Sequence, residues 1–311
     1  MKKFFNEYGG IAVIVLVIAT LLVLVGNIKE LDETTEKVKG TGVLSLVGNN
    51  ISNEIKNFQN SFNGISGPNG ELPISKTESQ VGKYADIDGD GTVDGIIFAD
   101  LMVGGSGEWN PGNITFGINN KSGKFSIAKI SSCKNYYVSQ PSYTNAVGGT
   151  AEVISPIGNG NDRFYIMALS NILSNYCDWY NDAYGNMSDF ASATGQNFGM
   201  GKSNTNTIIS KWNGEIYGKQ NKCSDGHNDL WSLIQSKVNE GWFVPSRQEW
   251  AAFANNLKIT HLNYSNKGLS AWYWSSSQNN LHEVYNIGFI SGYVGSNRVN
   301  GYNYARLATT F

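Results

Sequence analysis

Charge is scarce in this sequence. Asp, Glu, Lys and Arg make up 15% of 311 residues, which argues against a long coiled coil. The formal net charge is -2, which disfavours a nucleic-acid groove. Only 3 cysteines occur, Cys133, Cys177 and Cys223, too few and too far apart for a disulfide framework. They show no CxxC or Cys/His metal spacing. Cys177 and Cys223 can pair outside a cell, or all can remain buried thiols. The 3 histidines, His227, His261 and His282, match no ligand spacing. There is no GxSxG around Ser275, Ser276 and Ser277. Gly199–Ser203 lacks the first glycine of a phosphate loop, because Gln196 stands there. No converging titratable set points to catalysis, and the chain is expected not to be an enzyme. No internal repeat is visible.

Glycine, by contrast, is abundant at 36 residues, against 6 prolines, which suits an all-β or mixed fold rich in loops. The length is that of about two domains. At the N-terminus, Lys2 and Lys3 precede an apolar run from Gly9 to Gly26 whose one polar side chain is Thr20. As a helix it rises roughly 25 Å, enough to span a bilayer. The acids after it, Glu30, Asp32, Glu33 and Glu36, put the bulk of the chain outside. No small-x-small cleavage site follows, so residues 1–26 read as an uncleaved membrane anchor rather than a signal peptide. Residues 27–62 lack proline, and Ile51, Ile55, Phe58 and Phe62 recur at helical spacing, which predicts a stalk helix.

Residues 63–124 read as a linker and a β-rich segment. Within it Asp86, Asp88, Asp90 and Asp94 stand at DxDxDGxxD, with Gly91 at the turn. That spacing gathers alternate carboxylates around one point, as Ca²⁺ requires. No bidentate Glu follows, and the flanks are strand-like. The readings are a strand-loop-strand calcium loop or an acidic turn chosen for its geometry.

Further on, FSIAKI, NYYVSQ and RFYIMAL are strand-like, and 171–200 reads as a long loop with aromatic plugs. Residues 203–213 predict a helix. Asn228 is expected to cap another over Asp229–Glu240, ended by Gly241. Trp242, Phe243 and Val244 fit a buried strand. Ser246 with Glu249 three residues on forms a capping box for the next helix, whose stripe is Trp250, Phe253, Ala254 and Leu257. Arg247 and Glu249 are read as ties between helix and sheet. After Gln278 bulky apolar residues survive at intervals, and Asn, His, Tyr, Ser, Gly and Arg fill the gaps. Such a composition resembles a contact surface.

The segments GWFVPSRQEW, YWSSSQ and ARLATTF, in that order, resemble the C-type-lectin-fold domains of bacterial surface proteins. Formylglycine-generating-enzyme-like domains share this plan, but they use a late cysteine pair and this chain has none after Cys223. The chain is most similar to variable proteins diversified by diversity-generating retroelements. The N-terminal run also resembles a type IV pilin helix, yet no acid follows Gly9 and Gly10 as a prepilin requires. The resemblance implies an α+β fold, with a C-type-lectin-like ligand-binding domain over 125–311. It implies a surface-displayed adhesin or receptor that holds a protein or other macromolecule on a diversifiable face. The runner-up is a pilin-like subunit of a surface fibre. With Ile287 and Phe289 inward, alternation turns Asn286, Gly288 and Ile290 outward. Tyr285, Ser291, Tyr293, Asn297, Arg298, Asn300 and Tyr302 extend that face, and Asn280 and His282 complete the expected site.

Overall fold

In a computed structural model of the chain, the described residues are 31–32, 37–38, 51, 66–109, 123–180, 193–214 and 229–311. They form a mixed α+β structure, mostly β with few helices. The chain divides into two compact units, Met1–Ser75 and Lys76–Phe311.

In the first unit, β1 (Leu31–Asp32) pairs antiparallel with β2 (Lys37–Val38). These residues are therefore not part of the stalk helix expected over 27–62. Thr34 and Thr35, between the two strands in sequence, are β-branched and lose side-chain freedom in a helix. Ile51 is helical. The expected anchor over 1–26 lies outside the described residues. Among the described residues, no helix is long and apolar enough to cross a membrane.

The second unit runs β3 (Tyr84–Ala85), β4 (Gly95–Asp100), β5 (Gly105–Trp109), β6 (Gly123–Ile127), β7 (Asn135–Asn145), β8 (Gly149–Ile157) and β9 (Phe164–Ala168). Then come α1 (Gly201–Trp212), α2 (Leu230–Leu233), α3 (Gln235–Asn239) and α4 (Arg247–Asn256). It closes with β10 (Trp272–Asn280), β11 (Glu283–Gly288), β12 (Tyr293–Arg298) and β13 (Ala308–Thr310). A six-stranded sheet has the order β13-β9-β4-β3-β8-β7. Every residue of β4 is buried, its apolar run Ile96–Ala99 as expected of a central strand and Asp100 through its ion pair with Arg163. β3 and β4 thus lie in the middle of the sheet that β7, β8, β9 and β13 complete. The expected boundary at 124/125 does not exist. Strand pairing is non-local, and a linear reading cannot see it.

The sheet is pinned by a buried ion pair. Arg163 Nε and Nη2 donate to Asp100 Oδ1 and Oδ2, both at 2.8 Å. Phe311 closes the chain onto the same strands, since its carbonyl accepts from Arg163 N at 3.0 Å and Tyr136 Oη at 2.7 Å.

Helix α4 begins as its sequence dictates. Ser246 Oγ accepts from Glu249 N, and the Glu249 carboxylate accepts from Ser246 N. Its face of Trp250, Phe253 and Ala254 enters one core, with Phe98, Tyr273, Ile287, Phe289 and Val294. A second core gathers Trp179, Trp231, Trp274, Val284 and Val299. The three-stranded sheet β10-β11-β12 contributes to both. Tyr273, Ile287 and Val294 sit side by side in register on one face, and Trp274 and Val284 belong to the other.

The expected helix over Asp229–Glu240 is two short helices meeting at buried Ile234, and the cap is Asp229, whose side chain accepts from Ser232 N. Asn228 and Cys223 lie outside the described residues. Cys177 is a free, buried thiol.

Candidate functional site

The turn between β10 and β11 folds back beside the end of β12. Val299 N donates to His282 O at 3.0 Å, and Glu283 stands opposite Arg298 across the strands. Between them lies a cleft of about 420 Å³ lined by Asn280, His282, Glu283, Arg298, Val299 and Asn300. Four of these, Asn280, His282, Arg298 and Asn300, are residues the sequence singles out. Asn280 Nδ2, Asn279 Nδ2 and Ser296 Oγ all donate to Glu283 Oε2, at 3.0, 2.9 and 3.1 Å. Glu283 and Val299 were missed from sequence. Glu283 has a signal in hindsight, as the one acid in residues 272–311.

The rest of the expected face is split or buried. Ile290, Ser291, Gly288 and Tyr293 lie at the opposite end of the hairpins, about 17 Å away along β11. Of these Ile290 is well exposed, at 51%. Trp272 and Tyr293 rings meet edge-on at 5.5 Å over Gly288, and a Cβ there would overlap the Trp272 ring. Gly288 is buried and presents no outward side chain. Asn297 is half-buried, and its Oδ1 accepts from Arg298 N. Tyr302, two residues past Asn300, is 67% exposed.

Asn286 corrects the alternation, and Tyr285, placed on the expected face although it shares the parity of Ile287, is enclosed with it. Both are buried, at 3% and 4% exposure. The reason is that this sheet packs on both faces, so neither parity points to water. The Arg247 guanidinium lies 4.6 Å over the Tyr285 ring, and Gln196 bridges them, accepting from Arg247 Nη1 and donating to Tyr285 Oη. Asn286 faces Gly295 on one side and Trp274 on the other.

Glu249 is sealed in the interior. Its Oε1 accepts from Gly199 N at 3.0 Å and Gly201 N at 3.2 Å, and its Oε2 from Ser246 N at 2.6 Å. Burial pushes its carboxyl up to about 7, against these three N–H donors. A Cβ at Gly201 would overlap Glu249 Oε2 and stand 2.8 Å from Phe243 Cδ2, so only glycine fits. This carboxyl joins helix α4 to the start of α1.

The acidic loop follows β3. Asp86, Asp88 and Asp94 bring carboxylate oxygens within 4.8 Å of one another. Asp90 is outside this group, and its Oδ1 accepts from Thr92 N at 2.6 Å. Asp86 is 2% exposed and accepts from Gly89 N, Gly91 N and Ser155 Oγ. Gly91 has φ +87, which the turn requires. Burial, then the charges of Asp88, Asp86 and Asp90, raise the Asp94 carboxyl above its ordinary value. Oxygen donors at this separation suit a hard divalent cation.

No family model matches the chain, and no curated protein matches it. Among solved structures, a fimbrial protein from Bacteroides ovatus aligns with a TM-score of 0.32 and 14% identity. The alignment covers 48% of this chain and 36% of that one.

Proposed function

We propose that this chain is a surface-displayed recognition protein of the C-type-lectin-like, retroelement-diversified kind. Its ligand-binding end is the cleft between the β10–β11 turn and the end of β12. The observation that carries this reading is convergence. Asn280, His282, Arg298 and Asn300, separated by up to 20 residues in sequence, line one cleft. Polar and amide side chains at the end of a rigid hairpin pair offer adaptable contacts on a fixed support. In this reading the ligand is a protein or other macromolecule outside the cell. The apolar run Gly9–Gly26 is the anchor that holds the domain there. The loop of Asp86, Asp88 and Asp94 binds calcium and stiffens the turn beside β3 and β4.

The test compares the full-length chain with its Asn280→Ala/Asn300→Ala variant on arrays of surface proteins, peptides and glycans. Array binding lost in the variant at unchanged melting temperature supports the reading. Binding that the variant retains in full, or no binding by either, overturns it. Diversification is tested in the genome. A neighbouring reverse transcriptase with a near-copy of the codons for 272–311, differing at adenines, is expected. Recovery of the chain in sheared surface fibres would favour the pilin-like subunit instead.

A further inference from the structure

We infer that the cleft receives an acidic side chain. Arg298 anchors the carboxylate of an Asp or Glu in an extended segment of a protein partner. Glu283 is the positioning residue that takes the segment's backbone N–H. This rests on the recognition reading above.

The Arg298 guanidinium makes no hydrogen bond or ion pair with the described residues; only its backbone is engaged, its N–H donating to Asn297 Oδ1 and its carbonyl accepting from Gly301 N. A guanidinium presents parallel N–H donors that match a carboxylate bidentately. Opposite it, three donors converge on Glu283 Oε2, which fixes that carboxylate and leaves Oε1 as an acceptor. Partial burial raises the Glu283 carboxyl, but hydrogen bonds from Asn279, Ser296 and Asn280 and the Arg298 charge hold it below its ordinary range. Glu283 therefore stays an anion. It repels a ligand that is only anionic and attracts one that also brings a donor. A peptide segment brings both, an acidic side chain and an amide N–H. Leu281, between the lining residues Asn280 and His282 in sequence, exposes apolar area at 37%, which suits a protein side chain.

The test uses full-length protein labelled with ¹⁵N-arginine and two acetylated, amidated pentapeptides that differ only in a central Glu or Gln. Glucuronic acid is the third probe. The Arg298 Nε–Hε signal is assigned by its loss in Arg298→Gln. The expected result is a saturable shift with the Glu peptide, weakened about tenfold or more with the Gln peptide. Methylating the amide nitrogen of the central Glu should weaken binding to the wild type but not to Glu283→Gln. A merely structural Glu283 would not show that coupling. Equal shifts from both peptides, no shift, or a shift with glucuronic acid alone would overturn the inference. A silent Glu peptide together with array binding lost in Asn280→Ala/Asn300→Ala would sink this inference and leave the recognition reading standing.

Discussion

Asn286 pairs with Gly295 across β11 and β12, and this places its carboxamide inside the molecule at 3% exposure. Its Oδ1 has no hydrogen-bond partner there. A charge at that position would be buried and unpaired. Asn286→Asp, nearly isosteric, should lower stability by about 2–4 kcal/mol. The same change at exposed Asn300 should cost less than about 0.5 kcal/mol. Urea unfolding of the two variants measures the contrast. Equal effects would mean the two faces of this sheet are not as described. The same contrast bears on diversification. Tolerated substitutions should gather at 280, 282, 290, 298, 300 and 302, and spare 285 and 286.

Glu249 predicts a pH dependence of the opposite sense to an ordinary ion-paired carboxylate. Its folded-state value lies near 7, above its ordinary 4.5. Between these values the folded chain holds a proton that the unfolded chain has released. Stability from this group is therefore full below pH 4.5 and is lost as pH rises through about 7. The change is on the order of 3 kcal/mol. Melting temperatures across that range should fall with rising pH, and Glu249→Gln should flatten the slope. A wild-type profile that rises instead would refute the assignment.

Asp100 and Arg163 form a bidentate pair with both side chains at 1% exposure. Asp100→Asn removes the carboxylate that the buried guanidinium grips with two hydrogen bonds, which should cost about 3–5 kcal/mol. Replacing both members with apolar residues of similar size should cost less than that single change. Denaturant titration of the single and double variants reads the difference.

Calcium should raise the melting temperature at neutral pH, and a chelator should reverse the rise. Without a cation the raised Asp94 carboxyl makes the loop less stable as pH rises, because the folded state resists ionisation. A cation reverses that penalty. At about a hundredfold excess over Kd, the gain would be about 2.7 kcal/mol. Asp94→Asn should abolish the rise. An unchanged melting temperature with calcium would leave the loop as a turn held by its own Asp–amide hydrogen bonds.

Much of the local structure is legible in the residues themselves. The Ser246–Glu249 box, the α4 stripe and the strands around Ile97, Tyr136 and Ile166 follow from capping chemistry and periodicity. Legibility stops where two distant segments meet. Alternation along β11 separates two sets of side chains, but it does not say which set meets water. Here Ile287 enters one core and Val284 the other, so Asn286 is enclosed although its parity is opposite to Ile287. The Arg298 cleft was half visible, as a set of residue types without a geometry.

By itself the sequence determined the Ser246–Glu249 cap, the buried stripe of α4 and several strands, because capping and periodicity act over a few residues. Tertiary structure alone decided that β3 and β4 belong to the central sheet, that the Glu249 carboxyl closes on Gly199 and Gly201, and that His282 and Arg298 share a cleft. Each depends on packing between segments far apart in the chain, where burial and register, not local preference, set the free energy.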